Sequence, residues 1–128
     1  MENIKFKLEI ECSISQEQID DLMATALEGG INYWCEEAII RTYPDDVDPL
    51  TTELYTSDMI SRGGVLHIID VDAEDAYELT LENFIEGVKL EILNNPSLSS
   101  VEDLMDNYDA ETADSIVQYA LFGELRFS

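Results

Sequence analysis

The chain has 128 residues, the length of one domain, and 45% of them are hydrophobic, enough for a core at that size. Its charge is lopsided: 29 acidic residues against 6 basic ones leave -23 at neutral pH. Such a surface repels nucleic acid and anionic membranes and attracts basic proteins or cations, while the regular spacing of aliphatic and aromatic residues excludes an acidic disordered coil. Cys12 and Cys35 are the only cysteines, too few for a disulfide framework, and reduced thiols in a cytoplasmic protein are expected. The N-terminus has no apolar signal core, and no run approaches the ~18 apolar residues of a membrane span.

In chain order, "NIKFKLEIEC" alternates strictly, with Ile4, Phe6, Leu8, Ile10 and Cys12 on one side and Lys5, Lys7, Glu9 and Glu11 on the other. This predicts a half-buried strand with one wet face. In "ISQEQIDDLMATALEGG", Ser15 and Gln18 fit a capping box, and Ile14 with Ile19 fits the apolar staple around it. Ile19, Leu22, Met23, Ala26 and Leu27 follow helical spacing, and Gly29 fits a left-handed residue that ends the helix. "INYWCEEAIIRTY" then reads as a strand. Tyr33 and Trp34 read as core or sheet-face packing, because a base-stacking platform needs basic flanks and here the flanks are Glu28, Glu36 and Glu37.

Residues 44–64 form a polar connection with one short helix near 57–62, closed by Gly63 and Gly64. "VLHIIDV" predicts an apolar strand, "DAED" a turn and "AYEL" a returning strand. "TLENFIEGVKLEILNNP" is a second helix, with Leu81, Phe84, Ile85, Val88 and Ile92 on one side. "SVEDLMDNY" opens a short helix at Ser100. "DAETADSIVQYALFG" follows with Ala113, Ile116, Val117, Ala120 and Leu121 as its inner face and Gly123 as its stop, and "ELRFS" suits a brief edge strand. No repeat or linker divides the chain, so residues 1–128 read as a single α+β domain. Its expected sheet is mixed or antiparallel with roughly four strands, covered on one face by the first helix and the "LENFIEGVKLEIL" helix, with the C-terminal helices as an acidic flank.

"TALEGGINYWC" and "DSIVQYALFGE" resemble motifs of a group of small acidic phage and prophage proteins, A-L-E-G-G-S-N-Y-W-Y early and A-D-x-I-x-Q-x-A-L-F-G-E-I-V-Y-G late. This chain departs from them at Ile31, at Cys35 and in "LRFS" at the end. The resemblance implies a phage setting, and hence a host bacterial cytoplasm, but it carries over no catalytic residue.

Candidate chemistry is thin. Asp70, Asp72 and Glu74 suit the first, third and fifth positions of a calcium loop, but Asp75 stands where the turn needs glycine and Leu81 where it needs a bidentate glutamate. His67, the only histidine, lies in an apolar strand and reads as structural. A catalytic group would need Cys35 or a serine brought against it. A zinc site from Cys12, Cys35 and His67 lacks paired-ligand spacing, and no phosphate-cradling glycine loop is present. Pairs such as Asp20-Asp21 and Glu36-Glu37 are expected by chance among 29 carboxylates. No enzyme activity, metal or cofactor is expected.

The charge distribution carries the functional expectation. Between Lys89 and Arg126 no basic residue occurs, while Glu91, Glu102, Asp103, Asp106, Asp109, Glu111, Asp114 and Glu124 are acidic. Glu102, Asp106 and Asp109 stand at i, i+4 and i+7, one helical face if the helix reaches that far. Glu17, Asp20, Asp21 and Glu28 add a similar row to the first helix. Rows of this kind imitate a nucleic-acid backbone. The expected function is a non-enzymatic, anti-CRISPR-like DNA mimic. Its expected partner is a host defence or nucleic-acid-binding protein, met through Glu102, Asp103, Asp106, Asp109, Glu111 and Asp114. The alternative is a self-assembling phage accessory protein, with Tyr33-Trp34 and residues 122–127 at contacts between copies, in which the charge only confers solubility.

Overall fold

The computed structural model describes residues 3–6, 10–50, 55–72 and 75–128. The first helix, α1 (Gln16–Thr25), begins as its sequence dictates: Gln18 N donates to Ser15 Oγ at 3.1 Å and Ser15 N to Gln18 Oε1 at 2.9 Å. Ile19, Leu22 and Met23 point into the core. The helix does not end at a left-handed Gly29. It widens into a π-type turn over Ala26–Gly30, where Ile31 N–H donates to Ala26 O at 3.0 Å, and positive φ occurs elsewhere, at Gly63 and Gly123. The glycine that matters is Gly30, because a Cβ there would lie 2.8 Å from the Ala110 carbonyl and 3.3 Å from Asp114 N. Its requirement is the close approach of the last helix, not a turn conformation.

Three strands form one antiparallel sheet in the order β1 (Cys35–Thr42), β2 (Val65–Asp70), β3 (Ala76–Leu79). Ile40, Leu66 and Leu79 lie opposite one another across it and face the core, as do Ala38, Ile68 and Tyr77. The sheet is thus smaller than expected. Of the anticipated N-terminal strand, residues 3–6 and 10–12 are described, and none is in a strand; Ile4, Phe6 and Ile10 are 91%, 83% and 71% exposed. Residues 125–128 add no edge strand either. In the 44–64 connection two short 3-10 turns, Thr56–Asp58 and Ile60–Arg62, replace the single short helix and bury Met59 and Ile60.

The remaining helices are α2 (Leu81–Asn94), α3 (Val101–Asn107) and α4 (Ala110–Phe122), capped by Thr80, Ser100 and Asp109. Here the layering departs from expectation. The sequence placed α1 and α2 on the sheet and left both C-terminal helices as a flank. Instead α4 lies nearest β3, α2 packs across α4, and Ala113, Ile116 and Val117 are fully enclosed. Gly87 lets the two helices cross closely, since a Cβ there would come 2.4 Å from the Ile116 carbonyl. Only α3 remains peripheral. Among the described residues no helix is long and apolar enough to cross a membrane.

Candidate functional site

The six acidic residues singled out by sequence divide into three groups. Glu102 and Asp106 lie one turn apart on α3 and are exposed; Glu111, in the first turn of α4, is exposed too. Asp103 and Asp109 sit beside them but serve the backbone. Asp103 Oδ2 accepts from Ser99 Oγ at 2.6 Å and Ser99 N at 3.1 Å, and Asp109 Oδ1 caps α4 by accepting from Thr112 N at 2.9 Å. Those donors hold both carboxyls below their ordinary range, so both stay anionic into mildly acidic solution. The continuous i, i+4, i+7 row does not form, because α3 stops at Asn107 and Asp109 belongs to the next helix.

A sixth carboxylate stands behind this cluster. Glu91 on α2 is nearly buried, and its pKa is raised, first by burial and then by Glu111 and Asp109. Among the described residues the ion pairs are His67–Glu78, Lys89–Glu86 and Arg126–Glu124, none of which touches α3 or the start of α4. The face is therefore anionic and uncompensated. Beside it lies a cleft of about 230 Å³, lined by Asn95, Leu98, Leu104, Asn107, Tyr108 and Thr112 among others, with amides and hydroxyls but no charged side chain.

Asp114 is the correction. It is buried and cannot meet a partner. Its Oδ2 accepts from Tyr33 Oη at 2.6 Å, and its Oδ1 accepts from Trp34 Nε1 at 2.8 Å and Gln118 Nε2 at 2.9 Å. Gln118, one turn on, binds the C-terminal segment with its other end: its Oε1 accepts from Arg126 N at 2.7 Å and Phe127 N at 2.9 Å. Phe127 is thereby laid flat on Trp34, ring centroids 4.7 Å apart and 3° from parallel, and Arg126 rests over Phe122 at 4.3 Å. Burial and the Asp114 carboxylate push the Tyr33 hydroxyl up to about 12, so it donates and does not act as a base at neutral pH.

The "NYWC" and "DSIVQYALFGELRF" stretches thus meet in one clasp. Trp34 and most of Phe127 are occupied inside a single chain, while Tyr33 and Leu125 in the same stretches stay exposed. The sequence signal for this role was present: Asp114 and Gln118 are four apart and border the apolar stripe of α4. A solvated polar residue reads the same way, so the signal did not distinguish them.

The other candidates do not assemble. In the sheet register Cys35 is opposite Asp70 and His67 opposite Ile39, about 10 Å apart along the strand. His67 Nε2 is enclosed without a hydrogen bond, 3.6 Å from Glu78 Oε1. Asp70 is buried and accepts from Tyr77 Oη and Asp72 N, while Glu74 of the proposed calcium loop lies outside the described residues. Among the described residues no group of three or more His, Cys, Asp or Glu side chains is placed to hold a metal. Comparisons with protein-family models, curated proteins and solved structures find no match to this chain.

Proposed function

We propose that this chain is a non-enzymatic, phage-encoded acidic protein that occupies the nucleic-acid-binding surface of a host protein, with an RNA-guided defence nuclease as the natural target. One observation carries the reading: Glu102, Asp103, Asp106, Asp109 and Glu111 converge from α3 and α4 with no cation among the described residues to neutralise them. A face kept only for solubility tolerates scattered charge. This one concentrates like charge at a cost of a few tenths of a kcal/mol per close pair. Carboxylates at this density stand in for phosphates, speed encounter with a basic partner and give an affinity that falls with salt.

The test is capture of bacterial host proteins on the tagged chain, repeated with competing DNA and at raised salt. A nucleic-acid-binding protein retained by the native chain, released by DNA and salt, and lost with Glu102→Gln, Asp106→Asn and Glu111→Gln together supports the proposal. Retention by that triple variant shows the surface to be misplaced.

A further inference from the structure

The cleft beside the acidic face is lined in a way that selects its occupant. Three of its polar wall residues spend donors on acidic neighbours. Asn107 Nδ2 donates to the Asp103 carbonyl at 2.8 Å, Thr112 Oγ1 to Asp109 Oδ1 at 3.0 Å, and the Asn95 amide to the Glu91 carboxylate. A carbonyl oxygen only accepts, so the Asn107 amide is held with its nitrogen on the helix and its oxygen left over. The wall therefore offers acceptors. An occupant without donors would strip water from those oxygens and replace it with nothing.

Electrostatics set the sign of the occupant. Helices α2 and α3 both end at this cleft, in the extended residues Asn95 and Tyr108, and neither has a basic residue in its last turn. Helix C-termini carry partial negative charge and favour cations. The start of α4 is the opposing, electropositive end, but Asp109 already caps it. Size then limits the occupant. At about 230 Å³ the cleft is smaller than the ~300–1,000 Å³ pockets of drug-sized ligands, so it suits one side chain and not a nucleotide. Buried Leu104 and half-buried Tyr108 add apolar surface for the stem of that side chain. A guanidinium is planar, weakly hydrated, rich in donors and able to stack on an aromatic ring; an ammonium is compact and strongly hydrated.

We propose that this cleft seats one arginine side chain of a basic protein partner, with the guanidinium on the Asn95, Asn107 and Thr112 oxygens and the stem against Leu104 and Tyr108. The proposal rests on the reading of the α3–α4 face as a partner-binding surface, and it adds a point of recognition to that face. Exposed carboxylates draw in any basic surface, arginine or lysine alike. The cleft distinguishes the two, because its neutral oxygens repay the loss of water from a guanidinium better than from an ammonium.

Magnetic resonance titration of the full chain tests the seat, with a capped glycine–arginine–glycine peptide as the probe and its lysine and citrulline counterparts beside it. The arginine peptide is expected to shift the amide signals of Leu98, Asn107 and Thr112 saturably, with a Kd on the order of 1 mM. The lysine peptide is expected to bind about 10-fold more weakly, and the neutral citrulline peptide not to bind. Ser97→Tyr, at an exposed residue of the wall, fills the cleft and is expected to abolish the saturable shifts while leaving the circular dichroism spectrum unchanged. An absence of shifts overturns the seat. So do shifts spread evenly over the acidic surface, equal for arginine and lysine, or indifferent to Ser97→Tyr. Each of those results leaves the partner-binding reading standing, whereas a native chain that captures no host protein overturns that reading whatever the peptides do.

Discussion

The face of α3 and the clasp around Asp114 are both built on carboxylates, yet the two put that group to opposite uses. Asp114 is enclosed and accepts three side-chain hydrogen bonds, two of them from residues about eighty positions earlier in the chain. Glu102 and Asp106 are open to water and have no cation beside them. A carboxylate is structural where donors converge on it and available where none do. Charge on its own does not distinguish the two, which is how Asp114 came to be expected on a partner-binding surface.

Breaking the clasp should therefore cost stability, and breaking the face should not. Asp114→Ala leaves the Trp34 and Tyr33 donors and Gln118 without their acceptor, and is expected to cost about 3 kcal/mol in urea unfolding. Tryptophan fluorescence should report loss of Trp34's enclosure in the same experiment. Phe127→Ala removes the ring stacked on Trp34 and is expected to cost about 2 kcal/mol, with the C-terminal amides of Arg126 and Phe127 losing protection from hydrogen exchange. Gly87→Ala sets helix propensity, which favours alanine by about 1 kcal/mol, against the clash of the added Cβ with the Ile116 carbonyl. The crossing should win, for a net loss of about 1 kcal/mol or more; a stabilised variant would show that the helices separate easily.

Acid titration sharpens the comparison further. Glu91 and Asp20 have raised pKa values, both chiefly through burial, so their charged forms oppose folding. As pH falls through their raised values toward the ordinary carboxylate range, the folded state binds more protons than the unfolded one and stability rises. Asp103 and Asp109 act in the other sense: their lowered values contribute stability that is present above the ordinary aspartate range and is lost as pH falls below it. Urea midpoints should pass through a maximum on the acid side of neutrality and then fall, and Glu91→Gln should flatten the rising limb. The smallest stability effect belongs to the face itself: Glu102→Gln, Asp106→Asn and Glu111→Gln together should move the unfolding free energy by no more than about 0.5 kcal/mol. A large loss would mean that the face is part of the fold.

Much of the architecture was legible in residues that act on near neighbours. Ser15 with Gln18, Ser100 and Gly123 marked helix ends because a cap satisfies backbone groups within one turn of itself. The strands at "VLHIIDV" and "AYEL" were legible for a similar reason, being short apolar or alternating runs between turn residues. Gly29 misled because the chain pairs Gly29 with Gly30, and the demand on glycine came from the Ala110 carbonyl and not from the helix end. The N-terminal alternation misled in a different way. Period two states that one side of a segment is apolar; it does not state which strand, or which molecule, will cover that side.

By itself the sequence determined an α+β domain, the helix starts, the strands at 35–42, 65–70 and 76–79, and a strongly acidic chain; it overcounted the sheet and left its sense open. Tertiary structure alone decided that α4 is the central helix, that Asp114 and Gln118 tie residues 33–34 to 126–127, and that α3 is left to carry the uncompensated charge. The physical reason is range. Caps and periodicity act within a few residues, whereas the burial of a carboxylate depends on donors that only the complete fold brings to it.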